Sequence, residues 1–293
     1  MFPSNDNSSR GSASWFEAAK AGSISALESL YKLGTPVDAT DESGQLAIDY
    51  AVAFEQAPVV EFLIGLGATE TGFAKVFLND IDAIKSIREL HKLRFVGPLA
   101  FFGSAMHLAA TLGRTEIVSH FIDAGMSATE KNPLDQTPLF LAASAGKLAT
   151  AQVILDSLTD AEVLRREASN ALIGAIFDDQ EAAIQLLLKH HADPSSLHDV
   201  SFVRSSPLHV AVQNNRLVIL RLLVEGEIHN IDVRDEFGAT PLHVAVTAQC
   251  LDSVKILINA GASVVIPTAD GETAIELADS EGNSVIQAFL AAV

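Results

Sequence analysis

The chain has 293 residues, of which 19 are Lys or Arg and 37 are Asp or Glu, so its formal net charge is −18. Such an acidic surface repels phosphate, so we expect neither direct nucleic-acid binding nor docking on anionic lipid. Hydrophobic residues make up 48% of the sequence, which is typical of a folded chain, and the single cysteine, Cys250, excludes an internal disulfide framework and a Cys-rich zinc site.

From the N-terminus, the polar residues 1–12 predict a loose, disordered tail. The segment Phe95–Gly113 has no formal charge and approaches the length of a membrane-spanning helix. It also contains Gly97, Pro98 and Gly103, which favour a loop in its middle. We therefore predict two buried pieces separated by a loop, and no membrane span.

Internal repetition is the most informative feature of the sequence. The seven residues Ser206–Val212 recur as Thr240–Val246, and further copies lie at 104–110 and 137–143, with weaker ones at 46–51, 170–175 and 273–278. Taking the His of this motif as a marker, the equivalent positions are Phe16, Asp49, Phe73, His107, Phe140, Ile173, His209, His243 and Glu276. Most intervals are 33 or 34 residues; one is 24 and one is 36.

Each marker is followed by a second apolar helical pattern, and several of these patterns end in Gly. Ser or Thr followed by Pro caps a first helix, and the Ala residues after the marker let neighbouring helices approach closely. The pattern predicts a helix, a short turn, a longer helix and a projecting loop, repeated. One such pair cannot bury its apolar face alone, so the pairs must stack.

These motifs closely resemble those of the ankyrin repeat family, over residues 13–293. The resemblance implies an all-α repeat solenoid of stacked helix-turn-helix units with projecting loops or hairpins, about nine units including degenerate terminal caps. It also implies that His107, His209 and His243 make structural hydrogen bonds within and between repeats.

Two departures from the repeat length draw attention. The interval of 24 predicts a shortened loop at 67–72, with second helices at Pro58–Gly65 and Ile81–Leu93 on either side. The next loop, 94–103, is unusually apolar. It is either a partner-binding anchor or a filling for the gap left by the missing hairpin, and the second interpretation is favoured. The interval of 36 places extra residues at 194–200, a loop that either reads a partner or simply varies in length.

The sequence contains no motif for catalysis, so we predict no enzyme activity, no metal and no cofactor. His190, His191 and His198 lack a completing ligand, and Cys250 stands too far from His243 along the chain for a nucleophile pair. Two alternatives remain open: an enzyme or small-ligand binder that has adapted the groove, and a module that self-associates through the 94–103 loop.

The family resemblance implies a non-catalytic scaffold that binds a partner polypeptide on its concave groove and loop tips. The candidate contact residues are Phe101, Phe202, Val203, Asp235, Glu236, Phe237, Gln213, Asn214 and Thr247. We expect a protein partner with a basic segment and an apolar anchor, bound near the last three repeats, and an intracellular monomer. The resemblance extends to effectors that intracellular bacteria deliver into host cells, so translocation into a host is one interpretation.

Overall fold

The computed structural model describes residues 7–200 and 203–293, with side chains described from 14 to 198 and from 204 onward. It separates into two compact units, Met1–Pro138 and Leu139–Val293. The single-domain boundary at 13–293 stays a prediction. The first helix begins at Asn7, inside the segment predicted as a loose tail, and residues 1–6 lie outside the described part.

The N-terminal unit is built from helix pairs. Its helices are α1 (Asn7–Lys20), α2 (Ile24–Lys32), α3 (Ala47–Ala53), α4 (Ala57–Gly65), α5 (Gly72–Phe77), α6 (Ile81–Lys85), α7 (Ala105–Leu112) and α8 (Thr115–Asp123). Two 3₁₀ helices lie at Leu90–Lys92 and Gly97–Phe102. The first helix of each pair packs against its counterparts in neighbouring pairs, as in α3 against α1 and α5. Every residue of α3 is buried, which small Ala side chains permit.

The C-terminal unit continues the same plan. Its helices are α9 (Pro138–Ser144), α10 (Leu148–Ser157), α11 (Ala161–Phe177), α12 (Glu181–Lys189), α13 (Pro207–Gln213), α14 (Leu217–Val224), α15 (Pro241–Thr247), α16 (Leu251–Asn259), α17 (Ala274–Ser280) and α18 (Ser284–Leu290). Strands β1 (His198–Val200) and β2 (Val203–Ser205) pair antiparallel, with Val200 opposite Val203. The fold class is the predicted all-α repeat solenoid, with one short hairpin among the described residues.

The turn between the two helices of each pair contains one residue in the left-handed region of backbone space. These residues are Gly22, Glu55, Asn79, Gly113, Gly146, Asp179, Asn215, Gln249 and Gly282. Their steps along the chain equal those of the markers, including the short step of 24 and the long step of 36. The backbone therefore repeats with the predicted period even where the motif is weak.

The marker side chains cap the first helices. In the pair that starts with α13, the Nδ1 atom of His209 accepts a hydrogen bond from the backbone N–H of Ser206 at 3.3 Å, and its Nε2 donates to the carbonyl of Ala239 at 3.1 Å. His107 bonds Ser104 and the Glu130 carbonyl in the same way. A buried imidazole thus ties a helix start to the loop of the following repeat, as the resemblance implied.

At two of the markers that are not His, Asp49 and Glu276, an acid takes over this role. The carboxylate of Asp49 accepts from the backbone N–H of Leu46 at 3.2 Å and from the hydroxyl of Thr71, at the start of α5, at 2.6 Å. Burial raises the pKa of Asp49, opposed by those two hydrogen bonds. Glu276 accepts two hydrogen bonds from Thr273 at the start of α17. Capping geometry therefore persists across markers of different chemistry.

One local prediction needs correction. The helix expected at Ile81–Leu93 ends at Lys85, and a separate 3₁₀ helix follows at Leu90–Lys92. The extra residues around 194–200 lead into the β1–β2 hairpin, one of the projecting loops or hairpins that the resemblance implied. Helix α11 begins well before its marker, because Asp160 caps it through the backbone N–H groups of Glu162 and Val163.

Candidate functional site

A groove of about 460 Å³ lies in the C-terminal unit beside α15, and we call it the C-terminal groove. Its apolar surface comes mainly from Phe237, Val244 and Leu277. Polar groups from Gln213 and Thr247 lie along it. The lining comes from the turns before α15 and α17 and from residues of three first helices, α13, α15 and α17.

A tight turn holds Phe237 out from the surface. The Oδ1 atom of Asp235 accepts hydrogen bonds from the backbone N–H groups of Phe237 and Ala239, both at 2.9 Å. Gly238 follows with φ of 73°, and a Cβ there would lie 2.8 Å from the backbone nitrogen of Ala269. The neighbouring turn therefore packs directly against this one, and it leaves the Phe237 side chain 61% exposed. An exposed Phe on a backbone this constrained has little entropy to lose on binding.

The rim of the C-terminal groove is acidic. Asp270 and Glu272 line it, and Glu236 lies exposed beside Phe237. Residues 222–293 contain 11 acids but only two bases, Arg234 and Lys255. The Arg234 guanidinium donates to the carbonyl of Pro267 at 2.7 Å. The groove therefore favours a cationic ligand.

His243 lines the same groove, but its Nδ1 atom takes part in the cap of α15. This Nδ1 atom accepts from the backbone N–H of Thr240 at 3.1 Å, and burial lowers the pKa of His243. The imidazole is therefore neutral at physiological pH, and it adds no positive charge against a basic ligand. Its Nε2 atom has no hydrogen-bond partner among the described residues, so the bond to the next repeat that the resemblance implied is made by His107 and His209 but not by His243.

The structure brings together three of the predicted contact residues, Gln213, Phe237 and Thr247, in this groove. Asp235 is half-buried and serves its own turn. Asn214 is exposed, and its amide donates to the carbonyl of Val210 at the end of α13. Phe202 lies outside the described residues, and Val203 is described only as the first residue of β2.

Part of the apolar loop 94–103 packs inward, through Phe95 and Leu99, which supports the gap-filling interpretation for these residues, whereas Val96 is 41% exposed. The ring of Phe95 is 3% exposed and stacks on Phe73, with ring centroids 3.8 Å apart. Leu99 is buried, and Phe102 meets the edge of Phe54 at 5.4 Å. Phe101 differs from these residues, because its side chain is 38% exposed.

Phe101 borders a second groove, of about 780 Å³, which we call the N-terminal groove. It lies in the N-terminal unit between α1, the turn at Asp41 and the 3₁₀ helix Gly97–Phe102. Gly97, with φ of 55°, lies against this turn so closely that a Cβ would overlap the Ser43 side chain. Sequence reasoning missed this groove, because its walls come from segments that are far apart along the chain.

A hydrogen-bond network fixes the floor of the N-terminal groove. The Tyr50 hydroxyl donates to Asp41 Oδ2 at 2.7 Å, while Asp41 Oδ1 accepts from the backbone of Ser43 and Gln45. Burial raises the pKa of Tyr50, and the Asp41 carboxylate raises it further. For Asp41, burial is outweighed by these hydrogen bonds, so its pKa is lowered. The Asp41 carboxylate therefore stays ionised, and its oxygens accept hydrogen bonds from the turn and from Tyr50.

Among the described residues, no group of three or more His, Cys, Asp or Glu side chains is placed to hold a metal ion. Within the same residues, no helix combines the length and the apolar character that a bilayer crossing requires. The segment Phe95–Gly113 forms two pieces, as predicted, the 3₁₀ helix Gly97–Phe102 and α7. Of these, α7 is mostly buried as expected, whereas Phe101 in the 3₁₀ helix is exposed.

Comparison with known proteins matches the repeats directly. A family model described as ankyrin repeats (3 copies) matches residues 106–198, 172–268 and 208–292, and one described as ankyrin repeats (many copies) matches 16–64. A B-cell lymphoma 3 protein homolog of Mus musculus is 30% identical over 246 residues, which cover 82% of this chain and 49% of that protein. The nuclear factor NF-kappa-B p105 subunit of Gallus gallus is 30% identical over 164 residues, covering 55% of this chain and 17% of that protein.

The chain thus spans about half or less of the length of these two relatives. Among solved structures, the ankyrin repeat domain of Bcl-3, described as a unique member of the IkappaB protein family, superposes with a TM-score of 0.58. The superposition covers 86% of this chain and all of the Bcl-3 domain, at 23% sequence identity. This similarity concerns the fold.

Proposed function

We propose that this chain, which belongs to the ankyrin repeat family, is a non-catalytic scaffold whose C-terminal groove binds a basic polypeptide segment carrying an apolar anchor. Ankyrin repeats are generally protein–protein interaction modules. The observation that carries the proposal is the exposed Phe237, held rigidly beside the acids of the groove rim.

The geometry supports this partner chemistry in two ways. Contact energy in interfaces concentrates on a few rigid aromatic anchors, and Phe237 is an aromatic side chain fixed by the Asp235 turn. An apolar residue of the partner would pack against Phe237, Val244 and Leu277, while Lys or Arg beside it would face Asp270 and Glu272. Acidic rims of this kind speed association and discriminate against acidic partners.

A peptide selection tests the proposal and requires no candidate partner. A random 12-residue peptide library is selected on the immobilised protein, and enriched peptides are counted on the wild type and on Phe237→Ala. We expect enrichment of peptides that combine Lys or Arg with an aliphatic or aromatic residue, and loss of that enrichment on Phe237→Ala.

Val265→Ala is the matched control, because Val265 is a 72% exposed apolar residue of the same unit that does not line the groove. Peptides of neutral or acidic composition, or equal enrichment on wild type and Phe237→Ala, would contradict the proposal.

We further propose that the protein acts inside cells, as a monomer, by recruiting or blocking its partner. Action as a bacterial effector in a host cell is a narrower form of this proposal. Its test is whether the protein, expressed from a bacterium with a contact-dependent secretion system, reaches the host cytosol in a translocation reporter assay.

A further inference from the structure

Four aromatic residues line the N-terminal groove. Phe16 and Tyr50 form its inner part, each only 6% exposed, with ring centroids 5.3 Å apart. Phe54 is partly exposed within it, and Phe101 stands at the opposite side on the 3₁₀ helix. Ring faces carry partial negative charge, so a pocket lined by them attracts a cation with an apolar stem.

Carboxylates at the edge of the same groove add to this attraction. Glu17 and Glu42 are exposed there, whereas the Asp41 carboxylate is taken up by its own turn and by Tyr50. Lys20 is the one base among the lining residues. Three acids against one base leave the groove with a net negative charge.

The position of Lys20 shows that a cation fits against these rings. Its Nζ atom lies 5.1 Å from the centroid of the Phe54 ring and 3.9 Å from Glu17 Oε1. Lys20 is a flexible side chain at the end of α1, so an incoming cation could replace it without a change in the backbone.

We propose that the N-terminal groove binds an arginine side chain of a partner polypeptide, which displaces Lys20 from Phe54. The guanidinium is planar and weakly hydrated, so it stacks on an aromatic face while it donates to a carboxylate such as Glu17 or Glu42. An ammonium group can do only part of this. The site is separate from the C-terminal groove and does not depend on the function proposed for it.

The test is a titration of the full chain with three peptides, acetyl-Gly-Leu-Arg-Leu-Gly-amide and its lysine and citrulline counterparts. Citrulline keeps the planar shape of arginine but removes the charge. The amide ¹⁵N and ¹H shifts of Gly44 and Gly97 report binding at this groove. We expect the arginine peptide to shift these signals at the lowest concentration, the lysine peptide at a higher one and the citrulline peptide at the highest.

Variants give the sharper test. Lys20→Gln removes the competing cation and should tighten arginine binding about two- to fivefold, whereas Phe54→Leu removes the ring and should weaken it by a similar factor. Lys32→Gln is the matched control for the first variant, because Lys32 pairs with Glu28 on α2, away from the groove. Glu42→Gln should weaken binding, and Glu61→Gln, on an exposed site of α4, should not.

Three results would overturn the proposal: equal binding of the arginine and citrulline peptides, no gain of affinity in Lys20→Gln, or shifts confined to residues around Phe237. The last outcome would leave the function proposed for the C-terminal groove intact. Conversely, Phe237→Ala should leave the shifts at Gly44 and Gly97 unchanged, so the two proposals can fail separately.

Discussion

Replacing Phe95 by Ala tests whether the apolar segment 94–103 is part of the core. The Phe95 side chain is 3% exposed, its ring stacks on Phe73 at 3.8 Å, and it contacts Phe102 with centroids 5.8 Å apart. Truncating a buried Phe to Ala costs about 3 to 5 kcal/mol of unfolding free energy, from lost transfer energy and from the cavity left behind. We expect Phe95→Ala to lie in this range.

The assay is urea denaturation followed by the fluorescence of Trp15, the single tryptophan, which is fully buried in α1 of the same unit. Phe101→Ala is the matched control. That side chain is 38% exposed, so its removal should cost about 1 kcal/mol or less. A loss below about 1 kcal/mol for Phe95→Ala, or equal losses for the two variants, would show that the segment is not packed as described.

Three further predictions concern a helix cap, the protonation of buried histidines and the turn that holds Phe237. Ser206→Ala removes the hydroxyl that bonds His209 at the start of α13, and it should cost about 1 to 2 kcal/mol in urea denaturation, while Ser25→Ala on α2 should cost much less. Burial lowers the pKa values of His107 and His209, so these residues contribute stability fully above their ordinary pKa of about 6.5 and lose it as the pH falls towards the lowered folded values. Denaturation midpoints should therefore drop between pH 7.5 and 5.0, and a flat profile would contradict the buried neutral imidazoles. Asp235→Ala should loosen the turn and weaken peptide binding at Phe237 without contacting the peptide, and Asp252→Ala on α16 should leave that binding unchanged.

The repeat period could be predicted from the sequence because the motif residues have the same structural role in each copy. A Ser or Thr hydroxyl, a Pro in the first turn and a His that reaches the next loop leave a sequence pattern wherever they occur. The left-handed turn between paired helices leaves a weaker sequence pattern. Glu55 and Asp179 adopt this conformation as well as Gly22, so no single residue type marks it.

The sequence predicts one of the two grooves in part, through the repeat register, and does not predict the other. Gln213 and Thr247 each lie four residues after a marker His in neighbouring repeats, and Phe237 lies on the loop before the second of these markers, so the repeat register brought them together. The N-terminal groove arises where the register fails. Its walls depend on how Gly97 approaches Ser43 and on where Phe101 points once Phe95 is buried, and neither follows from periodicity.

The same reasoning explains where helices α6 and α11 depart from the sequence pattern. The apolar pattern from Ile81 onward resembles a helix, but α6 ends at Lys85, and the hydroxyl of the next residue, Ser86, donates to the Ala83 carbonyl and competes with the helix backbone. The early start of α11 comes from an Asp cap at Asp160, and a motif centred on the marker residue does not include it.

The most direct test of the central claim is the affinity of a selected peptide for three forms of the protein at two salt concentrations. A fluorescent copy of the most enriched library peptide is titrated with wild type, Phe237→Ala and Val265→Ala in 50 mM and 300 mM NaCl. We predict a loss of about 30-fold for Phe237→Ala, as for an aromatic hot spot, no loss for Val265→Ala, and weaker binding of the wild type at the higher salt concentration. Equal affinity of wild type and Phe237→Ala, or binding that is insensitive to salt, would contradict the claim that this acidic, apolar groove holds a basic partner.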